Sequence, residues 1–577
     1  MTRAFSAILA LFVCVNFAVA QVAPLVQAPP IRPAIPILAR PGMVVAAEPR
    51  AARIGVDILK RGGNAVDAAV AVGFALAVTY PSAGNLGGGG FMVIHLAKNN
   101  TNKDNTNTAI DYRETAPAAA TPTMFLDAKG EADAAKSRDS GLAVGIPGTV
   151  AGLALAQEKY GSGKFKLAEL MAPAIKLARD GVDLGDDTAS SLLRAQARLA
   201  RWPSSKSIFF NSDGGVMEPG QSLVQADLAA TLDAVARGGP QVFYNGPIAA
   251  KIAAAVRAAG GIMTADDLHN YRAIERPVVH GTYRGYDIVS MPPPSSGGVH
   301  LIEMLNILEG YDLGKLPREQ ALHDEIEAMK RAYADRAVYM GDPDAVKMPI
   351  AGLISKKYAA ALRASIGDTA TPADAIRAGK PAAFEGQNTT HFSVIDRDGN
   401  AVSNTYTLNF YYGLGLVADG TGVLLNNELD DFTAKPGSAN AYGLVGFNVN
   451  LPGPGKRPLS SMTPTIVLKD GKPFLVTGSP GGSRIITAVL QVIVNAIDFH
   501  MPIDRAVSAP RLHNQWRPDE TYAEPGFDPA VLAALKARGH KIVPTEPHTA
   551  ANSIEVTPEG YIGAADPRTR DALAAGY

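Results

Sequence analysis

Two threonines, Thr389 and Thr390, stand side by side in the stretch EGQNTTHFSVIDRDGNAVSNTYTLN, from Glu385 to Asn409, where they open the strand-like run THFSVID. A threonine hydroxyl is nearly inert at neutral pH unless a base sits beside it. Taken alone, the doublet reads as strand chemistry, because threonine fits a pleated, half-buried surface. An Asp398-Gly399 turn joins THFSVID to AVSNTYTL as a hairpin. With a three-residue loop, Arg397 to Gly399, antiparallel counting places Thr389 opposite Thr407; a loop one residue shorter gives it Leu408 instead. Thr407 alone fits a cross-strand contact as well as it fits a hydroxyl that steers its neighbour.

Other residue types in the chain could serve acyl chemistry. GSPGGSR offers Gly481 and Gly482, and glycine permits the dihedrals and close approach by which backbone N–H groups stabilise an oxyanion. Arg113 in DYRETAP carries a planar fork that matches a carboxylate. Ser460 and Ser461 carry adjacent hydroxyls, while Asn409, Glu428 and Asp431 carry acceptor oxygens. Singly, these read as a turn, a surface ion pair, a loop and a solvated cap. Competing chemistries find less support. GSGK at Gly161 to Lys164 runs into Phe165 where a phosphate loop needs Ser or Thr, NLGGGGF lacks GxGxxG spacing, and neither GxSxG nor HExxH occurs.

The elements that must position these residues change character along the chain. QVAPLVQAPPIRPAIPILARPG, residues 21–42, is proline-rich and reads as an extended tether, with compact structure starting near Met43. From there to about Ile366, amphipathic helical stretches such as Arg50 to Gly62 and Glu319 to Met340 alternate with short apolar runs bounded by glycine. KNNTNKDNTNT, Lys98 to Thr108, reads as a solvated loop between two strands. After about Gly367 strands take over, in THFSVID, AVSNTYTL, GVLLNN, PTIVLKD and PFLVTGS.

With 577 residues, 47% of them hydrophobic, the chain can bury a large core, and a formal net charge of -1 supplies no basic field for nucleic acid. MTRAFSAILALFVCVNFAVAQ combines Arg3, an apolar run from Ala7 to Val19 and the ending Ala18-Val19-Ala20, which predicts a signal peptide over residues 1–20. The mature protein is then expected in a bacterial periplasm or the medium, with no membrane span. The only cysteine, Cys14, lies in the leader, so disulfides, thiol nucleophiles and thiolate metal sites are excluded from the mature chain.

Taken together and in order, NTTHFSV, NTYTLN, NNELDDF, KRPLSSMTPT and GSPGGSRI resemble the small-subunit motifs of the gamma-glutamyltransferase family. GGNAVDAAVA, GNLGGGGFMV, DYRETAP, AVGIPGTVAG and PPPSSGG are similar to its large subunit, and the likeness runs from about Gly42 to Tyr577. The resemblance implies an N-terminal nucleophile hydrolase: an α+β, four-layer αββα sandwich made as a precursor that cuts itself between Asn388 and Thr389. It implies a large chain, 43–388, and a small chain, 389–577, that stay together as a heterodimer, and it calls for no cofactor and no metal. By the same resemblance Thr389 is the nucleophile, Thr407 steers it, and Gly481 and Gly482 form the oxyanion hole. Arg113, Ser460 and Ser461 would take the α-carboxylate of a glutamyl group, and Asn409, Glu428 and Asp431 its ammonium. Tyr442, in the long glycine-rich loop from Ala434 to Ser461, would gate the pocket. The substrates implied are glutathione and other gamma-glutamyl compounds, with water, an amino acid or a dipeptide as acceptor. Glu428 departs from members that carry glutamine there, and NFYYGLG is more aromatic than in several relatives, which leaves acceptor preference open. Two rival readings stand beside this one: an acylase of the same superfamily acting on glutaryl-type β-lactam or poly-glutamate substrates, and a periplasmic solute-binding protein that never matures.

Overall fold

Residues on both sides of position 389 interleave in two seven-stranded sheets. The computed structural model describes residues 31–98, 104–377, 389–441, 443–444 and 446–577. In chain order the strands of the two sheets are β1 (Ile37–Ala39), β2 (Met43–Ala46), β3 (Gly89–Leu96), β4 (Thr106–Asp111) and β5 (Ile274–Arg276). Next come β6 (Val279–Tyr283), β7 (Tyr286–Ser290), β8 (Thr390–Ile395), β9 (Ala401–Thr407) and β10 (Thr465–Lys469). The last are β11 (Lys472–Thr477), β12 (Ser553–Thr557), β13 (Gly560–Ala564) and β14 (Leu573–Gly576). One sheet runs β14-β2-β8-β9-β3-β4-β5 and the other β1-β13-β12-β11-β10-β7-β6.

Alternation along β8 explains the layering, since successive side chains of a strand point to opposite faces. Phe392 and Val394 face a helical layer and share one apolar core with Val44, Met92, Ile94, Val402 and Tyr406. That layer holds α1 (Pro49–Lys60) and α2 (Ala65–Thr79). Helix α2, AVDAAVAVGFALAVT, is buried along its whole length, as an all-round apolar helix must be. His391 and Ser393 point the other way, between the sheets: His391 Nδ1 lies 2.9 Å from Thr405 Oγ1, and Ser393 donates to the Asn552 carbonyl at 2.9 Å. Ser403 closes the same gap by donating to the Thr477 carbonyl at 2.8 Å. Beyond the second sheet lie α3 (Gly297–Leu308), α4 (Arg318–Tyr339) and α5 (Ile485–Ile497), packed with its apolar side chains in a second core. The order helix, sheet, sheet, helix is the expected α+β sandwich.

Two expectations are corrected. The proline-rich segment is not a tether as far as residue 42: Ile37–Ala39 pairs antiparallel with Tyr561–Gly563, and the Ala34 N–H donates to Ser508 Oγ at 2.7 Å. Helix α4 is not amphipathic with a solvated face, because every residue from Ala321 to Ala337 is buried, its charged side chains included. The leader, residues 1–20, lies outside the described residues, and among those described no helix is long and apolar enough to cross a membrane.

Candidate active site

Thr389 sits one residue before β8, a central strand of its sheet. The β8–β9 register pairs Thr390 with Tyr406 and Ile395 with Ala401 around a turn in which the Asp396 N–H donates to the Asn400 carbonyl at 3.0 Å. Counting back one residue sets Thr389 opposite Thr407, so the three-residue loop is the one formed. Both threonines are buried and line one cavity. Asn409, in the left-handed region at φ 74, turns the chain so that its N–H donates to Thr407 Oγ1 at 2.8 Å and its side-chain amide to the Asn427 carbonyl at 2.8 Å. With one lone pair filled by that N–H, the Thr407 hydroxyl hydrogen is directed away from Asn409.

The same cavity is lined by Asn409, Glu428, Asp431, Ser460, Ser461 and Gly482. Behind it Arg113, wholly buried, donates from Nη1 to Glu428, from Nη2 to Asp431 Oδ2 at 2.5 Å and from Nε to the Pro458 carbonyl at 3.1 Å. Glu114 Oε2 is 3.8 Å from Arg113 Nη1, so three carboxyl groups share one guanidinium. Burial works against the Arg113 charge, but Glu428, Asp431 and Glu114 outweigh it and raise its affinity for the proton. Burial likewise pushes all three acids up. Glu114 makes no side-chain hydrogen bond from either oxygen among the described residues, which makes it the natural holder of a proton. Glu428 Oε2 also has no partner there.

Ser460 and Ser461 are placed by PPPSSGG. The Ser460 N–H donates to the Pro294 carbonyl at 2.9 Å, and the Ser460 carbonyl accepts from Ser296 N–H at 2.8 Å and Ser296 Oγ at 2.7 Å. Ser460 Oγ accepts the Met462 N–H at 3.1 Å, and Ser461 Oγ accepts Arg336 Nη2 at 2.9 Å. Each serine therefore keeps its own hydrogen to donate elsewhere. Arg336, which also donates from Nε to Ser296 Oγ at 2.8 Å, is a site residue that sequence reading missed. Burial pulls its guanidinium down to about 10. Nothing local in α4 marks it, because charges spread around a helix read first as a solvated surface.

Gly481, at φ 134, and Gly482, at φ 56, precede helix α5. A Cβ on Gly481 would meet Thr549 Cγ2 at 2.7 Å, so glycine is required by space as well as by dihedral. Gly482 lines the cavity, whereas Gly481 is not part of its lining. The first N–H groups of such a segment find no carbonyl within it and favour negative charge. The loop expected to cover the pocket lies against it: Leu444 lines the cavity and Asn440 Nδ2 donates to Asp431 Oδ1 at 3.0 Å. Asn388 and Tyr442 lie outside the described residues.

A sandwich of two antiparallel sheets between helices, with a threonine heading a central strand beside a charged pocket, defines the class of N-terminal nucleophile hydrolase folds. The chain belongs to the gamma-glutamyltranspeptidase family, whose sequence profile matches residues 51–576. It is 52% identical to a glutathione hydrolase proenzyme of Escherichia coli (strain K12), over 94% of this chain and 93% of that one. It is 48% identical to a second, from Pseudomonas sp. (strain A14), over 94% and 95%. Among solved structures it resembles a cephalosporin acylase from Bacillus halodurans with a TM-score of 0.81 at 28% identity, covering 98% of this chain and 99% of that one.

Proposed function

We propose that the protein is an exported, self-processing enzyme that cleaves gamma-glutamyl bonds of glutathione and related amides and passes the acyl group to water, an amino acid or a dipeptide. The observation that carries this reading is the single buried cavity that joins Thr389 and Thr407 to Glu428, Asp431, Ser460, Ser461 and Gly482. In the precursor the Thr389 hydroxyl attacks the Asn388 carbonyl, the acyl group moves from nitrogen to oxygen, and water opens the resulting ester. Thr389 then begins a small chain, 389–577, with a free α-amine of pKa about 7.7 to 8, a base suited to neutral pH. The amine takes the hydroxyl proton, Oγ1 attacks the γ-carbonyl, and the N–H groups of Gly481 and Gly482 take up the oxyanion charge. The proton passes to the leaving nitrogen, and a gamma-glutamyl ester remains on Thr389.

Charge matching supports the glutamyl assignment. In the free site Arg113 is paired with both Glu428 and Asp431. A glutamyl zwitterion brings an ammonium for the acids and a carboxylate for the guanidinium and the two serine hydroxyls, so buried ion pairs are exchanged and no charge is left bare. Glutaryl groups lack the ammonium and leave the acids without a new partner. The mature protein is therefore expected to hydrolyse gamma-glutamyl anilide at least about tenfold faster, in kcat/KM, than glutaryl anilide, one charge-assisted contact being the difference. Preference for the glutaryl compound would assign the pocket to an acylase, and failure to cleave either compound would favour a binding protein.

A further inference from the structure

Arg336 is buried on α4 and forms no ion pair among the described residues. Arg331, Arg511 and Arg568, buried likewise, each hold a carboxylate within 2.7 Å, and Arg113 is shared by three acids. The hydrogen bonds of Arg336 go instead to two neutral hydroxyls, from Nε to Ser296 Oγ at 2.8 Å and from Nη2 to Ser461 Oγ at 2.9 Å. Asp431, whose charge reaches it, is already held by Arg113 and by Asn440. A buried cation without an anion is costly, and a guanidinium does not escape that cost by giving up its proton near neutral pH. The position of Arg336 therefore calls for an anion that the free protein does not supply.

The two contacts point to where that anion would lie. Ser461 lines the pocket beside Thr389, whereas Arg336 is not part of that lining. Because Ser461 Oγ accepts from Arg336, its own hydrogen is left to donate into the pocket. A chain from N–H to O–H to carboxylate strengthens as its members polarise one another, so the charge of Arg336 acts on an anion that it never touches. The second contact fixes the same doublet from behind: Ser296 Oγ accepts from Arg336 and donates to the Ser460 carbonyl at 2.7 Å. One guanidinium thus sets both serines, the side chain of Ser461 directly and the backbone of Ser460 through Ser296.

We infer that Arg336 is a positioning residue for the acyl half of the substrate: acting through Ser461, it supplies a second positive charge for an α-carboxylate and so selects acyl groups that carry one. The inference rests on the proposed gamma-glutamyl chemistry and divides the recognition of that carboxylate between two arginines. Arg113 must loosen its hold on acids to meet a carboxylate, whereas Arg336 has no acid to leave.

The test compares two anilides on the mature enzyme: gamma-glutamyl-p-nitroanilide, and gamma-aminobutanoyl-p-nitroanilide, which keeps the amine and the scissile amide but lacks the α-carboxylate. Arg336→Gln is expected to lower kcat/KM for the glutamyl compound at least about tenfold, mostly through KM, and that for the aminobutanoyl compound less than about threefold. Arg336→Lys, which keeps the charge without the planar fork, costs the glutamyl compound about threefold. In a Ser461→Ala background Arg336→Gln costs the glutamyl compound less than about threefold further, because the path through the hydroxyl is already cut. Equal losses on both compounds, in Arg336→Gln or, where that variant stays uncut, in Arg336→Lys, would make Arg336 a structural residue only and overturn the inference. A full loss that persists in the Ser461→Ala background would overturn it as well. A wild type that cleaves neither anilide would instead overturn the functional reading on which the inference rests.

Discussion

At the scale of single residues the site is governed by one guanidinium among three acids. Arg113 is buried with Glu114, Glu428 and Asp431, so its charge holds the pocket together before any ligand arrives. Removing one partner of a buried ion pair costs on the order of 3 to 5 kcal/mol because the other charge is left without compensation. Arg113→Ala is therefore expected to mature, to lose several degrees of Tm, and to raise KM for gamma-glutamyl anilide by about 100-fold while kcat falls much less. Kinetics on the cleaved variant check this; a KM within threefold of wild type would remove Arg113 from carboxylate recognition. Arg113, Glu428, Asp431 and the two serines were legible only as a set, since each alone looks like surface chemistry, whereas Arg336 was not legible at all. Arg336 lies more than a hundred positions from Ser461, and only folding brings them to 2.9 Å.

Among the elements, α3 and α4 meet across a polar contact that titrates. His300 Nδ1 lies 2.6 Å from Glu303 Oε2, and Tyr358 donates to Asp335 Oδ2 at 2.6 Å. Burial pushes both Glu303 and Asp335 up to about 8, and Asp335 is raised further by Glu303 itself. An acid raised by folding keeps its proton in the native state after the unfolded chain has lost it, so its contribution is full below about pH 4 and is lost as pH rises through about 8. His300, depressed by burial to about 3, works in the opposite sense only below its unfolded value near 6.5. From pH 6.5 to 8 the acids therefore act without it. Glu303→Gln is expected to lessen the fall in stability over that interval by about 1 kcal/mol, read by denaturant unfolding at both pH values. An unchanged difference would mean that Glu303 is already ionised in the native state. The hairpin of β8 and β9 was legible because a period of two and an Asp-Gly turn are local signals. The burial of α4 and the pairing of Ile37–Ala39 were not, because they depend on partners far along the chain, such as Tyr561 opposite Ala39.

For the whole molecule, the proposed cleavage before Thr389 would leave two pieces that share both sheets. In the first sheet β2 lies between β14 and β8, and β9 beside β3; in the second β1 pairs with β13 and β10 with β7, so strands from before and after the cut are neighbours five times over in the central layers. The pieces are expected to co-elute through any native separation and to unfold in one thermal transition, and separation without denaturant would contradict the interleaving. The layered architecture itself was inferred from ordered motifs more than from periodicity, since short apolar runs do not say which sheet a strand joins. All of the proposed chemistry depends on where the chain opens. The most direct measurement is the N-terminal sequence of the smaller fragment of purified, active protein. It is expected to begin Thr389-Thr390-His391, with Thr389→Ala left uncut and inactive; an active protein whose small fragment begins at any other residue would contradict the account.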